Sequence, residues 1–415
     1  MQRRNFIKTT AAATSLAVIA PTLSFTQQSP KNFSEAEVKA IRDRIKPITK
    51  EECQQRIENA QRLMHENNMD ALLIEGGTSL SYFTGIQWWR SERLFAMILT
   101  QKGEPIYIAP KFEEGRAKEQ TGNAQLFTWQ ENESPYELIH EALKKNNLLN
   151  SNFGIEESTR YFISENIQKA IPTLHIQNAV AVTAGCRSIK SAHEIELMQI
   201  ANDITLAVFK SAKKALKVGM TENELASLIS SRFSEFGTEG GALVLFGKAS
   251  AYPHGLRQEN KLNDGDIVLM DGGCSVEGYE SDVTRTTVFG KSTDKMKTVW
   301  AIVRSAQDAA LKSARPGVPA EEIDAAARKV ITDAGYGPGF KYFTHRLGHG
   351  IGMDGHEWYY LVPGSKRPVY SGNMFSNEPG IYIMGEFGIR LEDELLITEH
   401  GARLLLPQQE SLEKV

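Results

Sequence analysis

Two domains are predicted, an α/β domain over residues 45–185 and an α+β domain over residues 188–410 built from two similar halves. Three observations predict this. The chain has 415 residues, more than the roughly 250 to 300 at which a single hydrophobic core stops growing. Short apolar runs alternate with amphipathic helical stretches in its first half. The second half repeats itself, because Lys217-Val218-Gly219-Met220-Thr221-Glu222-Asn223-Glu224-Leu225 aligns without a gap on Arg315-Pro316-Gly317-Val318-Pro319-Ala320-Glu321-Glu322-Ile323. The same offset of 98 residues relates Ala212 to Ala310, Lys214 to Lys312 and Gly237 to Gly335. Two copies of helix, glycine turn and capped helix, each followed by strands, suggest halves that fold face to face.

At the N-terminus, Arg3-Arg4 and Lys8 precede the small, uncharged stretch from Thr9 to Ala20. This reads as a twin-arginine signal peptide over residues 1–28, which predicts an exported, periplasmic protein. Cleavage would remove three positive charges from a chain whose formal net charge is already −4. An acidic mature chain is a poor nucleic-acid binder. No apolar run approaches the roughly 20 residues of a membrane span. Cys53, Cys186 and Cys274 lack Cys-x-x-Cys spacing, so free thiols are expected and no zinc cluster is suggested.

A polar stretch to about Pro47 is expected to be mobile. Thr49 and Glu52 then have capping-box spacing, and Cys53, Ile57, Ala60 and Met64 form one apolar stripe behind them. Ala71–Ile74, Leu94–Leu99 and Pro105–Ile108 read as strands, and residues 111–121 and 135–147 as helices. A long amphipathic helix runs from Ala192 to about Leu216. Asp266–Asp271 reads as an apolar strand ending in an acid, and Asp282–Phe289 as its alternating hairpin partner. Glu378–Tyr382 and Gly388–Glu394 read as another hairpin with acids at matching ends.

Asp271, Asp282, His349, Glu378 and Glu392 stand out against this background. Singly, each has an ordinary structural explanation: an Asp-Gly-Gly ends strands, a Pro-Gly pair turns chains, and an acid run lines solvated edges. A pair of acids on adjacent strands is more telling, since both carboxylates then project onto one point. His345, His349 and His356 also concentrate three of nine histidines within twelve residues. Four carboxylates and one imidazole suit two divalent cations, between which a water becomes a nucleophile at neutral pH. The ligands fall after both repeats, which places the site between the halves. His356-Glu357 is not followed by a histidine at position 360, so the zinc-protease signature fails, and neither a Gly-x-Ser-x-Gly elbow nor a Walker loop is present.

In this order and spacing, the five motifs resemble the pita-bread dinuclear metallopeptidases. The likeness extends over about residues 45 to 407, through Tyr82-Phe83-Thr84-Gly85 and Arg187-Ser188-Ile189-Lys190-Ser191. It is greatest to the proline-specific branch, Xaa-Pro dipeptidase (prolidase) and Xaa-Pro aminopeptidase. The resemblance implies an α+β pita-bread catalytic domain with an internal pseudo-two-fold repeat behind a creatinase-like N-terminal domain. It further implies two divalent metal ions, with Asp271 chelating one, Asp282 and Glu392 bridging both, and His349 and Glu378 completing the second. By the same likeness Glu378 shuttles the proton, His254 lies on the substrate side, His356 bonds the scissile carbonyl or its oxyanion, and His345 and Arg390 hold the proline end. The reaction implied is attack of a metal-bridging hydroxide on the bond before proline in small peptides, by a homodimer. Oxygen-rich ligation favours manganese, while zinc, cobalt and iron also fit.

Retention of all five ligands argues against a creatinase-like hydrolase and against a non-enzymatic binding module. An amidase or esterase acting on a non-peptide substrate stays open, as does an aminopeptidase acting on longer peptides; the dipeptidase is narrowly preferred. Trp88, Trp89 and Arg346 take no role from the general pattern.

Overall fold

Capping decides where the first helices begin. Ser34 and Glu37 form a reciprocal capping box that opens α1 (Glu35–Arg42), and Thr49 with Glu52 does the same for α2 (Lys50–Glu66). Each box satisfies two backbone donors that a helix start would otherwise leave unpaired. The stretch before Pro47, expected to be mobile, thus carries a helix. It is anchored by Phe33 against Phe236, ring centroids 4.6 Å apart, and by Arg42 Nε donating to the Phe236 carbonyl at 2.8 Å. No residue of α1 is fully buried, so apolar periodicity does not announce it.

This computed structural model describes residues 32–415, and Phe33–Val415 form one compact unit. The twin-arginine stretch lies outside the described residues. From α2 the chain continues through β1 (Ala71–Glu75), α3 (Thr78–Thr84), β2 (Ala96–Thr100), β3 (Ile106–Pro110), α4 (Glu114–Thr121), β4 (Gln125–Trp129) and α5 (Pro135–Lys145). It then forms β5 (Asn152–Ile155), α6 (Tyr161–Ala170), β6 (His175–Asn178) and α7 (Val180–Arg187). Six strands make one sheet in the order β4-β3-β2-β1-β5-β6. Only β2 runs antiparallel to its neighbours. The central strand β1 is buried throughout because helices cover both faces: Leu72 and Ile74 pack with Ile57 and Ala60 of α2, whereas Ala71 and Leu73 pack with Ile139 of α5 and Ile163 of α6. That is the period-two alternation of a strand, hidden by burial on both sides.

The next half consists of α8 (Ala192–Lys214), α9 (Glu222–Phe236), β7 (Gly240–Phe246), β8 (Ile267–Val276), β9 (Tyr279–Glu280) and β10 (Val283–Val288). Its counterpart begins with α10 (Asp294–Ser313), α11 (Ala320–Ile331), β11 (Gly348–Gly350) and β12 (Glu357–Leu361). It ends with β13 (Met374–Asn377), β14 (Gly380–Ile383), β15 (Phe387–Arg390), β16 (Asp393–Ile397) and β17 (Ala402–Leu404). One sheet has the order β10-β8-β7 with β9 on β8, another β12-β11-β13-β16-β17, and β14 pairs β15.

The repeat survives in the hydrogen bonding. Gly219 and Gly317 have φ of 80° and 86°, values that glycine adopts without steric cost. Gly219 N–H donates to the Leu262 carbonyl at 2.8 Å, and Gly317 N–H to the Val369 carbonyl at 2.9 Å. Thr221 bridges Lys261, just as Pro319 bridges Pro368. Each helix pair packs chiefly on its own half's sheet, while Met374 and Leu396 join the core of α8 and α9, and Ile267 and Val288 that of α10 and α11.

Strand β8 departs from expectation, because it does not stop at Asp271 but runs on to Val276. Gly272 and Gly273 form no turn. A Cβ on Gly273 would stand 1.8 Å from the Ser281 carbonyl oxygen, and one on Gly272 2.3 Å from that of Gly241. The glycines let backbone close in on both sides of the strand, which holds Asp271 in mid-strand between β7 and β10. Among the described residues, no helix is long and apolar enough to cross a membrane, and the three cysteines are free.

Candidate metal centre

Asp271 faces Thr284 directly across the β8–β10 ladder, and Asp282 immediately precedes β10. His349 is the middle residue of β11, Glu378 follows β13, and Glu392 sits between β15 and β16. Ligand atoms of Asp271, Asp282 and Glu392 lie within 4.8 Å of one another, as do those of His349, Glu378 and Glu392. Glu392 therefore belongs to both groups. A third group joins Asp282, His349 and His356. The five residues singled out in the sequence, drawn from both halves, meet at one place.

Burial dominates the electrostatics here. It pushes Glu378 up to about 7, and burial together with neighbouring acids raises Asp282 and Glu392 well above the ordinary carboxylate range. Asp271 is the exception: burial opposes its charge, but Arg390 and hydrogen bonds from Thr284, Glu392 and Arg390 outweigh it and hold the carboxyl low. Crowded acids that resist ionising together are what a dication relieves. Glu392 Oε1 is buried without a hydrogen-bond partner, an acceptor open to a cation.

His349 is prepared for the same purpose. Its Nδ1 faces the Gly350 carbonyl at 3.0 Å, which can only accept, so Nδ1 carries the proton and Nε2 presents its lone pair. That lone pair lies 3.4 Å from Glu378 Oε1 and 3.8 Å from Asp282 Oδ2. Burial lowers the imidazole to about 3, keeping it in the neutral, ligating form. The donor set and geometry fit two divalent cations.

All nine predicted site residues line one cavity of about 420 Å³. His356 stacks on His349, ring centroids 3.7 Å apart, and accepts from Arg346 Nη2 at Nδ1, 3.0 Å away. Its proton is thereby placed on Nε2, making that nitrogen a donor. His345 has both nitrogens engaged: Nδ1–H donates to the Arg346 carbonyl at 2.8 Å, and Tyr382 donates to Nε2 at 2.7 Å. Arg390 is almost wholly buried, donating to Tyr382 Oη at 2.8 Å, Asp271 Oδ2 at 2.6 Å and Thr284 Oγ1 at 3.1 Å. His254 lies on the cavity wall beside Pro253.

Three residues escaped the sequence reading. The Thr284 hydroxyl stands 2.5 Å from Asp271 Oδ1 and 2.7 Å from Glu392 Oε2; its place opposite Asp271 in the hairpin was the available signal. Ser376 Oγ donates to Glu378 Oε1 at 3.1 Å. Tyr382, the last residue of the quoted Glu378–Tyr382 run, links Arg390 to His345. The unassigned residues also find places. Trp88 is a core residue stacked on Phe95 at 4.0 Å, Trp89 is 83% exposed, and Arg346 lies over the Tyr360 ring at 4.1 Å.

Residues 196–399 match metallopeptidase family M24, and residues 56–189 match the creatinase/prolidase N-terminal domain. An uncharacterized peptidase of Schizosaccharomyces pombe is 38% identical over 375 residues, 85% of this chain and 81% of that protein. An Xaa-Pro dipeptidase of Lactobacillus delbrueckii subsp. lactis is 33% identical, covering 83% and 95%. Among solved structures, the dipeptidase PepE from Mycobacterium ulcerans superposes with a TM-score of 0.83 at 31% identity, covering 89% and 99%. A prolidase from Thermococcus sibiricus gives 0.80 at 31% identity, covering 89% and 100%.

These comparisons correct the expectation of an exported, periplasmic protein. The likeness to an Xaa-Pro dipeptidase and to prolidase structures lends export no support. A pair of arginines before a dozen small residues is a short pattern, which a basic N-terminus can meet without being a signal. The chain belongs to metallopeptidase family M24 and joins a creatinase/prolidase-type N-terminal domain to a pita-bread catalytic domain.

Proposed function

We propose that this chain is an Xaa-Pro dipeptidase, hydrolysing the bond before proline in small peptides with two divalent metal ions. The observation that carries the reading is the convergence of four carboxylates and one neutral imidazole on two ligand groups that share Glu392. Asp271, Asp282, His349, Glu378 and Glu392 hold the ions, manganese being favoured by the oxygen-rich set. When bound, such a pair supplies Lewis acidity toward a carbonyl oxygen and makes water a nucleophile at neutral pH.

The chain's own groups do the rest. Glu378 accepts a proton on one side of the reaction and returns it to the leaving nitrogen on the other. His356, with its proton on Nε2, donates to the scissile carbonyl, and His254 faces the substrate from the opposite loop. His345 and Arg390 hold the proline end, with Tyr382 fixing both. Prolyl amides lack the N–H that many peptidases grip, so a shaped cavity has to position them. Relatives named Xaa-Pro dipeptidase support the dipeptide. A homodimer is the assembly this reading expects, which light scattering on the purified protein tests.

An Xaa-Pro aminopeptidase is the second reading. A cavity of about 200 Å³ shares His254 with the catalytic one, leaving room for a longer chain. Hydrolysis of Ala-Pro, Ala-Pro-Ala and Ala-Ala separates the two: cleavage of Ala-Pro alone establishes the dipeptidase, and cleavage of the tripeptide before proline favours the aminopeptidase. Metal-dependent hydrolysis of none of them contradicts both.

A further inference from the structure

A cavity of about 520 Å³, larger than the catalytic one, opens beside it, and His356 lines both. Its walls come from loops and from helices α3 and α7 of the N-terminal domain, and from β12 with the loop before it. One wall is aromatic, formed by Trp89, Trp358 and Tyr360. Glu156 and Glu157 line it as well, Glu157 against the edge of Trp358.

The charges on these walls are unevenly matched. Arg187 is spent on Asp354 Oδ2 at 2.6 Å and Glu357 Oε1 at 2.5 Å. Arg90 is spent on Glu75 Oε1 at 3.2 Å, the Gly76 carbonyl at 2.9 Å and Ser158 Oγ at 2.6 Å. Glu157, by contrast, meets only neutral donors, the Trp358 indole N–H at 2.9 Å and the Thr183 hydroxyl at 2.6 Å. No salt bridge joins it to a cation among the described residues. Glu156 is 4% exposed, and its Oε2 has no hydrogen bond, with Arg90 Nη2 standing off at 3.7 Å. The open Glu156 oxygen is a buried acceptor, costly unless a ligand completes it, and the half-buried Glu157 beside it is a carboxylate without a counter-ion.

We propose that this cavity is the subsite for the side chain of the residue preceding proline, and that it selects a cationic side chain, lysine or arginine. The proposal rests on the peptidase reading above. With His345 and Arg390 holding the proline end, the residue on the other side of the scissile bond is the one directed past His356. The methylenes of its side chain lie along the indoles of Trp89 and Trp358, and its cationic head reaches Glu157 and Glu156. Indole faces attract such cations, and a carboxylate in a sheltered wall fixes them through charge-assisted hydrogen bonds.

The test compares kcat/KM for Lys-Pro and norleucyl-proline, side chains of similar length that differ in charge, with Ala-Pro alongside. Wild type is expected to favour Lys-Pro over norleucyl-proline about tenfold. Glu157→Gln keeps an oxygen to accept from Trp358, removes the charge, and is expected to bring that ratio to about one. Trp89→Ala, a change at an exposed position, is expected to lower kcat/KM for both long side chains relative to Ala-Pro. Equal use of Lys-Pro and norleucyl-proline by wild type, or a ratio that Glu157→Gln leaves unchanged, overturns the subsite while Ala-Pro hydrolysis upholds the peptidase. Hydrolysis of no Xaa-Pro dipeptide overturns both.

Discussion

Arg390 Nη2 donates to Asp271 Oδ2 at 2.6 Å, and this contact keeps one acid of the centre ionised while its neighbours are driven toward protonation. Removing the guanidinium strands a buried carboxylate among other acids. Arg390→Ala is expected to destabilise the metal-free protein by roughly 3 kcal/mol, the scale of a broken buried ion pair. A divalent cation should recover part of that loss. Thermal melts with and without metal check it, and equal losses in both conditions would contradict the assignment of Asp271 to the metal centre.

The crowded carboxylates predict a proton–metal exchange. Glu378, pushed from 4.5 to about 7 by burial, binds more protons folded than unfolded. Its contribution to the stability of the metal-free chain is complete below pH 4.5 and lost as pH rises through about 7. Asp282 and Glu392 shift in the same direction. The metal-free melting temperature should therefore fall between pH 5 and 8, and added divalent cation should reverse the fall while releasing protons. Calorimetry in buffers of different ionisation enthalpy counts those protons, and a metal-binding enthalpy independent of buffer would refute the exchange.

Tyr382 fixes two groups at once, accepting from Arg390 Nη1 at 2.8 Å and donating to His345 Nε2 at 2.7 Å. Tyr382→Phe keeps the ring and deletes both bonds. The expected result is about a tenfold fall in kcat/KM, with a stability loss of about 1 kcal/mol for the hydrogen bonds. Steady-state kinetics on Ala-Pro and a denaturant titration measure the two separately.

Glu357 is fully buried between Lys190 at 2.8 Å and Arg187 at 2.5 Å. Burial opposes its charge, but Lys190 and Arg187 outweigh it and lower the carboxyl from 4.5 to about 2. A depressed acid gives stability that is present above pH 4.5 and lost as pH falls toward 2, here roughly 3 kcal/mol. Glu357→Gln should lose that amount at pH 7 and flatten the acid limb of the stability profile. Urea titrations from pH 3 to 7 read both effects.

Much of this architecture is legible in the chain. Thr49 and Glu52 announce α2, and Gly219 and Gly317 announce the repeat. The four acids and the histidine meet because hairpin geometry projects acids from paired strands onto one point. What escaped detection follows from physics that local pattern does not carry. Helix α1 buries no residue completely, so it leaves no apolar stripe. The Asp271-Gly272-Gly273 run looks like a turn, yet its glycines serve close backbone approach within a strand. Thr284, Ser376 and Tyr382 matter through contacts that cross strands and halves, and single-sequence spacing does not record such partners.

A titration of metal-free protein with Mn²⁺, followed in parallel by calorimetry and by Ala-Pro hydrolysis, beside Asp282→Asn, asks directly whether the five ligands form a catalytic two-metal centre. A two-metal centre should give activity that rises with metal and saturates near two equivalents, and an Asp282→Asn protein that folds but loses at least a hundredfold in kcat/KM together with one binding event. Hydrolysis unaffected by chelation, or full activity in Asp282→Asn, would contradict it.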